Sequence, residues 1–482
     1  VAILSENRPE WAITDLAIIS VQGIVVPIYH TLKAKQIEFI LQDSGARVLF
    51  VSKPALLNEV LQVRENLKDL FKIVLMDADQ TGKLPQDVTS FQNLLDLGTS
   101  QKSKYESKVK ELIQTANEDD TVSFVYTSGT TGNPKGAMLS HKNFLSNVKG
   151  CSSIVQVEPH WVALSFLPLS HVLERTAGYY LILYNGGTIA YAEGVNEVVQ
   201  NLPEVKPDVM VSVPRLYEKM YAGILNKINE GSALKKKIFL WAVEVGKEWF
   251  YTNLEKKTPS LSLKLKHRLA DKLVYSKLKA IVGGRLKFFV SGGAALAKDI
   301  NEFFQAIGLP ILEGYGLTET APVLTVNTFE KMRLGSVGQP IPGVTIKIAE
   351  DGEIMAKGPN VFKGYWNRPD ATAEAFRDGW FLTGDVGVLD KDGFLSITDR
   401  KKDIIVTSGG KNVAPQNIEG LLVTDNFISQ AVVFGDKQKY LAALIIPDFQ
   451  VLTGWAKEQG IAFGSRQELI QNPKVIELYN QR

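Results

Sequence analysis

The sequence predicts an α/β protein: a large N-terminal domain of two doubly wound sheets plus a small β-barrel, then a hinge and a truncated small α+β C-terminal domain. Three observations carry this. Short β-branched runs alternate with amphipathic segments through the first two-thirds of the chain, the pattern of βαβ units with parallel strands. From about residue 335 the text turns β-rich and is punctuated by Asp-Gly pairs, which are hairpin signals. After Asp399 a Gly-containing polar stretch leads into about eighty residues of mixed pattern.

The elements run in order. VAILSENRPEW opens on a strand that precedes a helix. GIVVPIYHT, ARVLFVS and FKIVLMD read as strands, with KQIEFILQDSG and ALLNEVLQVRENL as amphipathic helices among them. The alternation resumes with GGTIAYA, VNEVVQNLPEVKP and DVMVSVP. Residues 224–287 read as a basic helical insertion in which Lys and Arg outnumber Asp and Glu about three to one. Its plain reading is solvated helices whose apolar stripe packs on the body. Its sharper reading is a surface for anionic lipid headgroups or for a phosphate-rich carrier. Asp351-Gly352 and Asp392-Gly393 then mark hairpins in an antiparallel sheet or barrel. The expected division is 1–399 for the large domain, with α/β subdomains to about 330 and a β-rich subdomain over about 335–399. Residues 400–402 form a hinge and 403–482 a partial small domain.

Composition narrows the function. The 482 residues carry a net charge of +2, so bulk electrostatics do not favour nucleic acid as a partner. The single cysteine, Cys151, excludes an intrachain disulfide and a Cys-rich metal site, and points to a reducing, intracellular setting. No apolar run approaches the roughly 18–20 residues of a membrane span. A cytoplasmic location is expected, with peripheral membrane contact through the basic insertion. The text begins at Val1 without Met, stops at VIELYNQR, and is read as a fragment.

VYTSGTTGNPKG, residues 125–136, is the densest chemical signal. Hydroxyls at Thr127, Ser128, Thr130 and Thr131 alternate with Gly129 and Gly132, and Lys135 follows Pro134. Small residues let backbone N–H groups approach an anion, hydroxyls donate to it, and lysine supplies a point charge. A P-loop requires Gly-Lys-Ser/Thr. Here Gly132 stands three residues before Lys135 and Gly136 follows it, so that reading fails. Further on, EGYGLTET sets Tyr315 between two glycines, giving an aromatic face for a base, a hydroxyl at Thr318 and a hard oxygen donor for Mg²⁺ at Glu319. Asp385 follows LTG, and a carboxylate there can accept both hydroxyls of a ribose. Taken alone, Asp385 reads as a turn residue, His171 in LPLSHVLER as a structural histidine, and Arg400-Lys401-Lys402 as a solvated cluster.

YTSGTTGNPKG resembles the signature of the adenylate-forming enzymes, which include acyl-CoA synthetases, aryl-CoA ligases, luciferases and peptide-synthetase adenylation domains. EGYGLTET, GWFLTGD and DRKKDIIVTSGGKNVAP resemble that family's later motifs in the expected order, so the resemblance covers nearly the whole chain. SVPRLYEKMY and the long basic insertion look like long-chain fatty acid–CoA ligases. The resemblance implies that Thr127, Ser128, Gly129, Thr130, Thr131 and Gly132 close on the phosphates of ATP, with Lys135 as cation. It implies that Glu313, Gly314, Tyr315 and Gly316 line the adenine side, that Thr318 contacts the α-phosphate, and that Glu319 and Thr127 hold Mg²⁺. Asp385 would take the ribose with help from Arg400, and Lys402 would pivot the small domain. Gly292 and Gly293, in FFVSGGAAL, would form the wall between acyl pocket and adenine. His171 would border the acyl and thioester site, Tyr217 stands where some members carry a gating tryptophan, and Gly409 and Gly410 would line the thiol tunnel. The implied reaction joins a long-chain fatty acid to CoA through an acyl adenylate, releasing pyrophosphate and AMP. The alternatives are a ligase to acyl carrier protein and a non-catalytic nucleotide- or lipid-binding protein. One departure stands out: no segment matches the surroundings of the family's C-terminal adenylation lysine, so weak adenylation is expected of this chain.

Overall fold

A computed structural model of the chain describes residues 1–77, 84–127, 133–401, 405–408, 412–413, 415–423 and 425–481. Buried runs of Val, Ile and Leu supply the strands, because a strand covered on both faces needs apolar residues at consecutive positions. Ala2–Leu4, Val26–Ile28, Val48–Val51, Lys72–Leu75 and Val88–Ser90 make a five-stranded, fully parallel sheet in which the first strand lies between the second and third. The helices Pro9–Ser20, Ala34–Ser44 and Pro54–Leu61 are the crossovers expected between such strands. Gly45, at φ +62°, ends the second of them in the left-handed conformation.

A second sheet has seven strands. Thr188–Tyr191, Val162–Ser165, Val209–Ser212, Phe288–Ser291 and Ile311–Gly316 run parallel, and Val323–Val326 and Gln339–Pro340 close one edge antiparallel. The β-rich region is a five-stranded antiparallel sheet with Trp380–Leu389 pairing three neighbours. Both Asp-Gly signals fall in its turns, where Gly352 and Gly393 adopt φ of +83° and +82°. The segment 403–482 contains the helix Pro415–Leu422, a two-stranded ribbon of Ile428–Phe434 with Ala442–Pro447, and helices from Phe449 onward.

The βαβ pattern fails at one place in the first half. The strand Thr121–Thr127 is antiparallel to Lys135–Ser140, because the residues between them in sequence are too few for the crossover that a parallel pair needs. Residues 224–287 are helical as expected: they take in the end of Pro214–Asn229, then Ala233–Leu254 and Leu261–Ala270, the π-helix Asp271–Tyr275 and the short helix Ser276–Ile281. The insertion sits tightly on the body. At Gly246 a Cβ would stand 2.7 Å from the Ala306 carbonyl carbon, so only glycine lets Ala233–Leu254 cross the helix Lys298–Ala306 there. Among the described residues no helix is long and apolar enough to cross a membrane.

The two large sheets are joined by a buried polar knot. Arg175 donates to Asp15, to Ser123 Oγ at 2.7 Å and to Tyr180 at 3.1 Å, and the Tyr180 hydroxyl donates to Asp15 at 2.7 Å. Trp11, Phe144 and Tyr180 place their rings 5.4–5.5 Å from the guanidinium. Arg175 therefore stays charged in the interior despite its desolvation, with Asp15 as counterion.

Candidate active site

The site is built where the second sheet, the antiparallel sheet and the Thr121–Ser140 hairpin meet. Register places Thr127 opposite Lys135 across that hairpin. The returning strand pairs on its outer edge with the turn at Tyr365: Ala137 bridges Tyr365, Met138 N–H donates to Gly364 at 2.9 Å, and Trp366 N–H donates to Gly136 at 2.8 Å. Trp366 stacks on Phe124 at 4.6 Å, and Arg368 and Tyr126 both bind the Asp43 carboxylate. Tyr365 is thereby fixed with its ring 5.3 Å from Lys135 Nζ and its hydroxyl donating to Glu319 Oε1 at 2.7 Å.

Glu319 lies in the short helix Thr318–Thr320, directly after the strand Ile311–Gly316. That turn is pinned by Thr320, whose hydroxyl accepts from Leu317 N–H at 3.0 Å, and by Asn360, which donates to the Thr320 carbonyl at 2.8 Å. Gly316 is required by space: a Cβ would overlap the Pro322 backbone. Burial raises the Glu319 carboxyl above its ordinary value. The Tyr365 hydroxyl pulls the other way, while the nearby Asp385 adds to the rise and Arg400 opposes it.

Asp385 is held on Trp380–Leu389 opposite Arg400 on Leu395–Arg400. Its N–H donates to Thr383 Oγ1 at 3.1 Å, its carboxylate receives the Tyr315 hydroxyl at 2.6 Å, and Arg400 Nε stands 3.4 Å away. Burial, and then the Asp385 charge, push the Tyr315 phenol well above its ordinary value, so it is a permanent donor. Next to Asp385, Gly384 N–H donates to Glu353 at 3.0 Å, and the other Glu353 oxygen receives Lys401 Nζ at 2.8 Å.

The remaining candidates lie on the second sheet and on the segments beside it. A Cβ on Gly292 would lie 3.3 Å from Leu173 and 3.7 Å from the Gly314 carbonyl, so the two glycine stretches and the His171 loop meet there. Gly293, at φ +82°, makes the turn after the strand. His171 Nδ1 accepts from Leu173 N–H at 3.2 Å, and burial lowers its pKa, leaving a neutral imidazole with its proton on Nε2. Asn7 holds that loop, donating to the Leu167 carbonyl at 2.7 Å and accepting from Leu169 N–H at 3.0 Å. The Glu313 carboxyl receives Asn301 Nδ2 at 2.8 Å, and burial pushes it up to about 7. Tyr217 is fully buried, with its hydroxyl on the Val290 carbonyl at 2.8 Å and its ring edge-on to Phe289 and Phe304.

The structure thus brings Thr127, Lys135, Glu319, Tyr315, Asp385 and Arg400 into one neighbourhood, with Gly292, Gly314 and the His171 loop beside it. Ser128, Gly129, Thr130, Thr131, Gly132, Lys402, Gly409 and Gly410 lie outside the described residues. Sequence reasoning missed Tyr365, Glu353, Lys401 and Asn7. The glycine-flanked aromatic pair in KGYWNRP was the available signal for the first. Among the described residues, no three His, Cys, Asp or Glu side chains gather into a metal cluster. A divalent cation here would take one carboxylate from Glu319 and most of its ligands from phosphate and water, which is how Mg²⁺ is usually held beside nucleotides. A buried carboxyl whose charge burial disfavours, with a single tyrosine as its side-chain donor, fits that demand.

The profile of the AMP-binding enzyme family matches residues 1–366, and that of the AMP-binding enzyme C-terminal domain matches residues 402–472. The chain belongs to the AMP-binding enzyme family. It is 38% identical over 480 residues to a long-chain-fatty-acid–CoA ligase of Mycobacterium bovis, covering 99% of this chain and 78% of the relative. It is 32% identical over 502 residues to human long-chain-fatty-acid–CoA ligase 1, covering 98% and 69%. Among solved structures it resembles an anthranilate CoA ligase in complex with anthranoyl-AMP, with a TM-score of 0.68 at 20% identity over 97% of this chain and 82% of that one. It also resembles the o-succinylbenzoate CoA synthetase of Bacillus subtilis, with a TM-score of 0.64 at 23% identity over 95% and 81%. The last two likenesses concern the fold, which has a large N-terminal and a small C-terminal domain.

Proposed function

We propose that this chain activates a long-chain fatty acid with ATP and transfers the acyl group to CoA. The observation that carries the reading is the convergence of Lys135–Tyr365–Glu319 with Tyr315–Asp385–Arg400. Curated relatives of that name, at 32–38% identity over nearly the full chain, support the substrate class and favour CoA over acyl carrier protein as acceptor. The separate family matches support a division at residues 400–402 between a large domain, 1–399, and a small one, 403–482.

In the first half-reaction a carboxylate oxygen of the fatty acid attacks the α-phosphorus of ATP. The bond from that phosphorus to the bridging oxygen breaks, and pyrophosphate leaves with the electron pair. Asp385 accepts from the ribose hydroxyls, its orientation fixed by Tyr315 and Arg400. Lys135, Thr318 and the residues 127–132 neutralise and position the phosphates. Mg²⁺, held by Glu319 and Thr127, supplies further charge neutralisation when bound. In the second half-reaction a CoA thiolate attacks the acyl carbon, the mixed-anhydride C–O bond breaks, and AMP leaves. The neutral His171 borders that carbon, Gly292 and Gly293 separate it from adenine, and Tyr217 braces the wall from behind. Lys402 is the pivot between the two steps, bringing Gly409 and Gly410 to the thiol. The basic insertion would give the enzyme a peripheral membrane contact.

Asp385→Ala and Glu319→Gln test the site. Fatty-acid-dependent pyrophosphate release should fall at least about a hundredfold in each, the scale of losing a transition-state electrostatic contact. Unchanged release in both variants would overturn the assignment.

A further inference from the structure

The run formed by Leu261–Ala270, Asp271–Tyr275 and Ser276–Ile281 has two dissimilar faces. Leu263, Ala270, Val274 and Tyr275 are buried in the core of the second sheet's helical layer. His267 stacks on Trp249 at 4.1 Å, the Tyr275 hydroxyl donates to the Ala242 carbonyl at 2.5 Å, and Ser260 caps the helix by accepting from Leu263 N–H at 3.1 Å. The helix is therefore anchored from behind. On the other face Leu261, Leu265, Leu269 and Leu273 are 80%, 66%, 50% and 37% exposed. Their spacing of four residues makes them one ridge, unlike the singly scattered apolar residues of an ordinary surface. Lys264, Lys266, Arg268 and Lys272 stand exposed beside and between them. Asp271 is the one acid from 261 to 281, and its carboxylate is engaged by Lys279 Nζ at 3.2 Å and Ser276 at 3.0 Å.

We propose that this ridge docks the protein on an anionic lipid surface, the leucines entering the boundary between headgroups and acyl chains while the lysines and Arg268 meet lipid phosphates. An acidic protein would answer the cations but not four projecting leucines, and a second copy would present the same positive charge. A lipid surface answers both features. The helix lies on the bilayer and does not span it, since none among the described residues is long and apolar enough to cross. The docking stands on this face alone and rests on the proposed function only for its purpose, the capture of a fatty acid that partitions into bilayers.

Vesicle flotation tests it, with phosphatidylcholine alone and with about one part in four phosphatidylglycerol. The native chain should float with the anionic vesicles, and the doubly substituted Leu265→Ser/Leu269→Ser chain should bind about tenfold more weakly per leucine removed, even at low salt. Leu265→Trp should show a blue-shifted emission on the same vesicles, a readout independent of affinity. Binding that salt abolishes but the serine substitutions leave unchanged would overturn the proposal. So would loss of self-association, or of acyl carrier protein binding, in the serine variant of a chain that ignores vesicles. Pyrophosphate release with detergent-dispersed fatty acid is measured in parallel and should be the same for native and serine chains. Absence of both ATP binding and pyrophosphate release in the two chains refutes the enzymatic reading and leaves the docking result standing.

Discussion

The hydroxyl of Tyr365 lies between opposite demands, donating to a carboxyl that burial discourages from ionising while its ring faces the Lys135 ammonium. Removing the hydroxyl alone separates these roles. In Tyr365→Phe the ring survives, but Glu319 loses the donor that lowers its pKa, so the carboxyl moves further up. If Glu319 acts ionised, the acid limb of the pH–rate profile moves to higher pH, and pyrophosphate release at neutral pH falls about tenfold, the worth of one hydrogen bond to a charged group. An unmoved acid limb would show that Glu319 does not act ionised. Glu319, Asp385 and Tyr315 could be singled out because each sits in a short glycine-punctuated motif that resembles a family signature, although Asp385 taken alone reads as a turn residue. Tyr365 was not, because KGYWNRP marks an aromatic pair beside a glycine but not its partner: the place of Tyr365 depends on the Ala137–Tyr365 bridge, a pairing of residues far apart in sequence.

The turn after His171 shows the same limit for an element. LPLSHVLER announced a histidine, but Glu174–Tyr180 is wound as a π-helix, whose wider hydrogen-bond spacing leaves no mark in local propensity. By contrast, the parallel strands and the hairpins were legible, since buried β-branched runs and Asp-Gly pairs fix local geometry directly. The π-turn buries the Glu174 carboxyl without a well-formed hydrogen bond to either oxygen, against Gly178, where a Cβ would stand 2.6 Å from the carboxyl carbon. Burial pushes this group up to about 8, with Ser165 pulling weakly the other way. A carboxyl raised in the folded state contributes stability that is complete below its ordinary value of 4.5 and is lost as pH rises through about 8. Unfolding free energies from urea titration of the native chain and Glu174→Gln, measured from about pH 5 to about pH 9, should therefore diverge by roughly 3–5 kcal/mol. The native chain weakens as pH rises and the variant does not. Parallel curves would mean that Glu174 is solvated in a way this packing forbids.

Three parts of the molecule meet at Asp15 and Arg175: the helix Pro9–Ser20 of the first sheet, the strand Thr121–Thr127 through Ser123, and the π-turn that follows the His171 loop. Both side chains are fully buried, so neither charge has water to fall back on. Their joint contribution to stability is small, because desolvation offsets attraction, but their contribution to register is large: the knot sets where Thr127 and His171 stand relative to one another. Asp15→Asn leaves a buried guanidinium without its counterion and should cost about 3–5 kcal/mol. Asp15→Leu/Arg175→Met replaces the pair by apolar groups and should recover most of that loss. Urea unfolding measures the stability, and hydrogen exchange along Pro9–Ser20 measures whether this helix loosens before the rest. If the knot serves register, the double variant recovers stability yet keeps faster exchange in that helix and reduced pyrophosphate release. A double variant as stable, as protected and as active as the native chain would show that apolar packing alone aligns the two sheets.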